Sequence, residues 1–389
     1  MRRGFGPGLN ARTLGIAARS GGVSALGLTQ NVVVAFVGDS TTNGSNGGSG
    51  GTSNYLNSRP NAPAIKTAEI LNADGIPVTS EGTFGVGGNN TASVWVQADG
   101  TRYVSVGGWT SLANLAIFGG HFFQAAGAGA VLQVNILGCD VIKLAYPVWT
   151  YGSFRYRIDG GSWVTVNQTG TKVWQIDSIP VAMGDHTVEF EWVSGTAYMH
   201  CCYGENSTRN ELRHIHAGAR GALSSNFITN TSTNPWLFRN ANGTLPIDIA
   251  VVNIGINDIN TNVSLATYES NYRAFLTNWR TNNPDVAFIL EKPNPISLDG
   301  TGVTQMQVRS LIDTLATDYS TGGKFCRVHD RWASMGVTGV DGPAAYTMAN
   351  GLGLMSDTLH PNAAGYGLIA IGLAAVEKQL LIDMGLLAV

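Results

Sequence analysis

Three short, predominantly apolar runs, VVVAFV (32–37), DIAVVNIG (248–255) and VAFIL (286–290), constrain the fold more than any other feature of the chain. A strand that is apolar at successive positions has no face for water, so both of its sides must be covered. Helical spacing follows each of the last two runs. Tyr268, Tyr272, Phe275 and Trp279 recur on one face, and so do Val308, Leu311, Leu315 and Tyr319. A weaker strand near 76–79 follows a predicted helix at 62–72, and KFCRV (324–328) reads as a fifth strand. The last helix carries Ile369, Leu373, Val376, Leu380 and Met384 along one side. This alternation predicts an α/β fold of three layers, with about five parallel strands between two sheets of helices.

A different pattern interrupts it. From about residue 98 to 209 the apolar residues alternate with period two, as in VLQVNIL, SFRYRIDGGSWVTV and HTVEFEWV, and Asp159-Gly160-Gly161 has the composition of a hairpin turn. The expected organisation is therefore a lead-in or attachment segment over 1–30, a discontinuous α/β domain over 31–97 and 210–389, and an antiparallel β-sandwich inserted at 98–209.

Composition narrows the partners. Only 13% of the residues are charged and the formal net charge is −3, so the chain lacks the basic footprint needed for nucleic acid or an anionic membrane. A low charge share with 50 glycines and many Asn, Ser and Thr suits an uncharged polar ligand. The N-terminal stretch has no apolar core of signal-peptide length, and no run of about 18 apolar residues follows, so neither a standard signal peptide nor a membrane span is expected. The four cysteines form no Cys-x-x-Cys pair, leaving no zinc ribbon or redox motif. His214 and His216 share one strand face, but no third ligand at a suitable spacing completes a metal site, and His200-Cys201-Cys202 is no better.

In α/β sheets, ligands gather at the carboxyl ends of the strands. Three polar stretches fall there or at the entry to the last helix. GDS (38–40) follows the first strand, GIND (255–258) ends the third, and DTLH (357–360) precedes Pro361 and the final helix. A serine hydroxyl becomes a nucleophile only when a base takes its proton and a third group orients that base. Ser40, His360 and Asp357 supply those three groups. Asn257 can donate to an oxyanion, with Gly255 leaving room for the substrate. Taken singly, each stretch also has an ordinary use as a turn or helix cap.

Together these motifs resemble the blocks of the SGNH/GDSL hydrolase family, over residues 32–90 and 210–389. The resemblance implies Ser40 as nucleophile, His360 as general base and then acid, and Asp357 as its orienting partner. The oxyanion hole would be formed by Asn257, the Ser40 backbone N–H and a glycine of the second block. Two glycines compete for that place: Gly221 in HAGARGALSSNF, which is preferred, and Gly88 in FGVGGNN. A sandwich between the second strand and its loop resembles the build of SGNH carbohydrate O-acetyl esterases. The implied activity is removal of O-acetyl groups from an acetylated polysaccharide through an acyl-enzyme, with no cofactor and no metal. Trp149 and Trp163 are expected among the sugar-binding aromatics of the insert, against the plainer use of Trp149, Tyr151, Trp163, Trp174 and Trp192 in packing. The rival readings are a lipase or thioesterase of the same fold, and a non-catalytic glycan-binding virion attachment protein. The missing signal also fits a phage-tail or other virion-associated enzyme or one that reaches the outside by another route, with the cytoplasm as the remaining location; virion assembly or a homo-oligomer is the partner expectation.

Overall fold

The computed structural model describes residues 26–45, 61–83, 103–106, 108–113, 121–228 and 247–388. Strand β1 (Val32–Gly38) is buried along its whole length and lies near the middle of a six-stranded parallel sheet. Helix α1 (Pro63–Ala73) leads to β2 (Val78–Thr83) at one edge. Among the described residues the chain then makes seven antiparallel strands and returns as β10 (Leu212–Gly218), which inserts between β1 and β2. On the other side of β1 lie β11 (Ile249–Asn253), β12 (Ala287–Lys292) and β13 (Cys326–Asp330), giving the order β13-β12-β11-β1-β10-β2.

About five strands were expected from the sequence, and the sixth is β10. Its segment LRHIHAG carries Arg and two His, so it does not read as a fully buried strand. Burial is nonetheless tolerated because both imidazoles find partners. His214 meets the Ala64 carbonyl at 2.9 Å and Glu377 at 2.8 Å, and His216 Nε2 lies 3.1 Å from Asn43 Oδ1. β13 begins two residues later than the KFCRV run.

Helices α2 (Ile256–Asn260), α3 (Leu265–Asn282), α4 (Gln305–Asp318), α5 (Arg331–Ser334), α6 (Pro343–Gly351) and α7 (Ala363–Asp383) complete the domain. The periodic faces read from the sequence are the buried ones: Tyr268, Tyr272, Phe275 and Trp279 join Val37, Val252 and Leu290 in one core, while Leu373, Ala374 and Leu380 close the other sheet face with Val34 and Phe36. By length and composition α7 would suit a membrane. Its packing on the sheet, with Glu377 and Tyr366 buried, makes it a core helix.

Among the described residues the antiparallel region forms two sheets. One joins β3 (Tyr103–Val106), the long and bulged β6 (Val131–Ile158), β7 (Val164–Ser194) and β9 (Cys201–Glu205), and the other joins β4 (Trp109–Ala113), β5 (His121–Ala125) and β8 (Ala197–Met199). They share one apolar cluster containing Trp109, Phe123, Leu132, Phe154, Phe190 and Met199. Between β6 and β7 the chain reverses at Asp159 (φ 50°) and Gly160 (φ 70°), with the Gly161 N–H donating to the Ile158 carbonyl at 2.8 Å. Positive φ at both central residues defines a type I′ turn, whose twist matches that of the strands it joins. Period-two alternation carries β9 from one core to the other: Cys201 packs in the parallel-sheet core and Cys202 in the antiparallel one. Ala145, Ile176 and Tyr203 also enter the parallel-sheet core, so the two parts are fastened by shared apolar burial.

Candidate active site

The carboxyl end of β1 lies between those of β10 and β11, where the strand order changes direction. Sheet packing there is so close that a Cβ on Gly38 would overlap the Asn253 carbonyl and the Thr42 side chain. Past Gly38 the chain winds into a tight turn. The Thr42 and Asn43 N–H groups donate to the Asp39 carbonyl at 3.2 and 3.1 Å, Ser45 N–H donates to the Ser40 carbonyl at 3.0 Å, and the Tyr366 hydroxyl of α7 holds the Ser45 carbonyl at 2.9 Å. Ser40 is thereby fixed at the top of the strand.

His360 arrives from the opposite end of the chain. Its segment is braced by Asn294 Nδ2, which donates to the Leu359 carbonyl at 2.9 Å, and Asn362 caps α7 by accepting from the Ala364 and Gly365 N–H groups at 3.0 Å each. The helix-boundary reading of this segment is therefore correct as well, with the cap two residues beyond the histidine. Asp357 Oδ1 accepts from the Leu359 and His360 N–H groups at 2.7 Å each, and the His360 Nδ1 lies 2.9 Å from Asp357 Oδ2. Burial alone would raise the Asp357 carboxyl, but the imidazole and these backbone donors outweigh it and hold it well below the usual carboxylate range. An ionised carboxylate can only accept, so Nδ1 carries the proton and Nε2 is left as acceptor. Ser40 Oγ donates to that Nε2 at 2.8 Å. A serine, an imidazole and a carboxylate separated by as many as 320 residues thus form one hydrogen-bonded row.

Asn257 stands in the first turn of α2 at the end of β11, and its Nδ2 donates to the Ala222 carbonyl at 2.9 Å. One amide hydrogen is used in this way and fixes the direction of the other. Asp258 ties the same helix to the loop after β10: it accepts from Ser224 Oγ at 2.6 Å and from the Ser224 N–H. Burial pushes its carboxyl up to about 6, against the lowering effect of those bonds. Gly221 lies in this loop at φ 76°, a left-handed conformation that favours glycine, one residue before the carbonyl that holds Asn257. Gly88 lies outside the described residues.

Gly255 requires a correction. It is buried at φ 138°, and a Cβ there would meet the Tyr268 hydroxyl at 2.8 Å and Val308 at 3.3 Å. The space it leaves is filled by the protein's own Tyr268, which donates to the Ile254 carbonyl, so the glycine serves packing rather than substrate entry. Trp163 lies beneath the guanidinium groups of Arg155 and Arg157, 4.7 and 4.5 Å from its ring centre. Trp174 packs on the parallel-sheet core and edge-on to His200. Trp149 is 44% exposed and adjoins Tyr151, which stacks at an angle on Tyr198 at 4.5 Å. Among the described residues, no group of three or more His, Cys, Asp or Glu side chains is arranged to hold a metal.

The sequence reading missed Thr41, Asn253, Glu291 and Arg331, which lie beneath the serine turn. Thr41 directly follows the GDS motif and Asn253 lies within the DIAVVNIG run, but nothing in the sequence marks any of the four until the strands align.

Residues 177–368 match the GDSL-like lipase/acylhydrolase family, a span that includes Asn257, Asp357 and His360 and begins after Ser40. That span is a GDSL-like lipase/acylhydrolase domain, and the chain is an esterase. Among solved structures, it is similar to a peptidoglycan O-acetylesterase, with 17% identity over 91% of this chain and 92% of the other and a TM-score of 0.53. A family two carbohydrate esterase from Clostridium thermocellum matches at 15% identity over 72% of this chain and 99% of the other, with a TM-score of 0.33. No curated protein matches the chain.

Proposed function

We propose that this esterase removes small acyl groups, acetyl first among them, from hydroxyls of a polysaccharide, with Ser40, His360 and Asp357 as its catalytic triad. The observation that carries the proposal is the 2.8 Å bond from Ser40 Oγ to an imidazole already turned by a carboxylate. In this reading Ser40 attacks the ester carbonyl as Nε2 takes its proton. The second Asn257 amide hydrogen and the Ser40 and Gly221 N–H groups receive the oxyanion. His360 then protonates the departing sugar oxygen, and a water deprotonated by the same imidazole releases acetate from the acyl-enzyme.

The glycan assignment rests on different support. A surface with few charges suits a neutral polymer, Trp149 with Tyr151 and Tyr198 offers aromatic faces of the kind that stack on sugar rings, and the similar peptidoglycan O-acetylesterase acts on a glycan ester. The antiparallel region of residues 98–209 would then be a sugar-binding module built into the esterase.

The test is acetate release from acetylated xylan, peptidoglycan and capsular polysaccharide, with Ser40→Ala as control. Wild-type release with an inactive variant is expected, and equal release by both would remove Ser40 from the mechanism. Faster turnover of p-nitrophenyl octanoate than of the acetate would favour a lipase or thioesterase instead.

A further inference from the structure

The acyl transfer described above does not use the cluster of polar side chains beneath Ser40. Its centre is Arg331, the first residue of α5, which is completely buried. Arg331 Nε and Nη2 donate to Glu291 Oε1 and Oε2 at 3.0 and 2.6 Å, and Nη1 donates to Thr41 Oγ1 at 3.1 Å. The Asn253 amide is satisfied when its oxygen faces the same guanidinium, accepting from Nη1 at 3.1 Å and Nη2 at 3.2 Å. All five guanidinium hydrogens are then directed at protein acceptors. Glu291 is held from behind by His329 Nδ1 at 2.8 Å, and His329 Nε2 meets Ser334 Oγ at 2.8 Å. Thr41 also donates through its N–H and hydroxyl to Asp39 Oδ1, at 2.9 and 2.8 Å.

This arrangement joins the carboxyl ends of β11, β12 and β13 to the residue that follows Ser40. As a source of stability it is a poor choice, because a buried ion pair is often no better than apolar side chains of the same volume. As a positioning device it is a good one. The planar fork of Arg fixes two directions at once: Glu291 sets the plane on one side, and the other side then dictates where Thr41 and Asn253 sit.

We propose that Arg331 is a positioning residue for the nucleophile: anchored by Glu291, it holds Thr41 and Asn253 so that Ser40 Oγ stays on His360 Nε2. The inference rests on the reading of Ser40 as nucleophile. It extends the active site beyond the triad and the oxyanion donors to a buried arginine with no contact to substrate.

The experiment compares wild type, Ser40→Ala, Arg331→Lys, Thr41→Val and Thr41→Ser. For each, melting temperature, kcat and KM on p-nitrophenyl acetate and the rate of Ser40 labelling by a fluorophosphonate are measured. Lysine keeps the charge but cannot form the fork. Folded Arg331→Lys is expected to lose about 10- to 100-fold in kcat and in labelling rate with KM within about twofold, because a misplaced nucleophile costs reactivity rather than binding. Thr41→Val, which removes only the hydroxyl link, should fall in the same direction by about fivefold or more, and Thr41→Ser should restore the rate. Should Arg331→Lys fail to fold, the Val and Ser pair decides alone. Wild-type kcat and labelling in folded Arg331→Lys or in Thr41→Val would overturn the proposal, whereas an active Ser40→Ala would instead overturn the site reading on which it stands.

Discussion

Replacing Asp258 by Asn should remove a pH dependence of folding that the structure assigns to one carboxyl group. Asp258 is fully buried at the foot of Asn257 and accepts from Ser224 through both oxygens. Burial pushes its carboxyl up to about 6 from 3.8. The native state therefore holds this proton more tightly than the unfolded chain does. The corresponding stabilisation is fully present below about pH 3.8 and is lost as the pH rises through about 6. At 1.36 kcal/mol per pH unit, the whole difference is worth roughly 3 kcal/mol. Between pH 5 and pH 7.5, inside the range where the fold survives, the share that changes is roughly 1.4 kcal/mol. Urea unfolding of wild type and Asp258→Asn at those two pH values isolates it, because every other titrating group is common to both proteins. Wild type should gain roughly 1.4 kcal/mol relative to the variant on going from pH 7.5 to pH 5. Parallel pH dependence of the two proteins, within about 0.3 kcal/mol, would show that the Ser224 bonds offset the desolvation and that Asp258 titrates normally.

Gly38→Ala places a methyl group inside the contact distance of the Asn253 carbonyl and Thr42, so the serine turn must move by about 1 Å; kcat on p-nitrophenyl acetate should fall by about 100-fold, and the fold should lose about 1–3 kcal/mol. Asp357→Asn keeps the shape of the turn but removes the charge facing the imidazole. Steady-state kinetics should show a loss of about 10³- to 10⁴-fold in kcat with KM little changed. Trp149→Ala removes an exposed ring and leaves both cores intact, so melting temperature and p-nitrophenyl acetate turnover should hold while KM on an acetylated polysaccharide rises about fivefold or more.

The sequence by itself determined the parallel α/β class and the helix faces, because periodicity and apolar runs report which sides of an element meet water. It also singled out Ser40, Asn257, Asp357 and His360, polar residues that each follow a strand or precede the last helix, at the edge where a parallel sheet gathers its ligands. The tertiary structure decided what depends on strand order. Only the insertion of β10 beside β1 brings the Gly221 loop to Asn257, and its two histidines disguised that strand because their buried partners, Glu377 and Asn43, lie far along the chain. Gly255 looked like a space for substrate and is a space for Tyr268, since a glycine records that something approaches but not what. Arg331 was invisible for the same physical reason: a buried charge is recognised by the acceptors around it, and Glu291, Asn253 and Thr41 come from three other segments that only the folded sheet sets side by side.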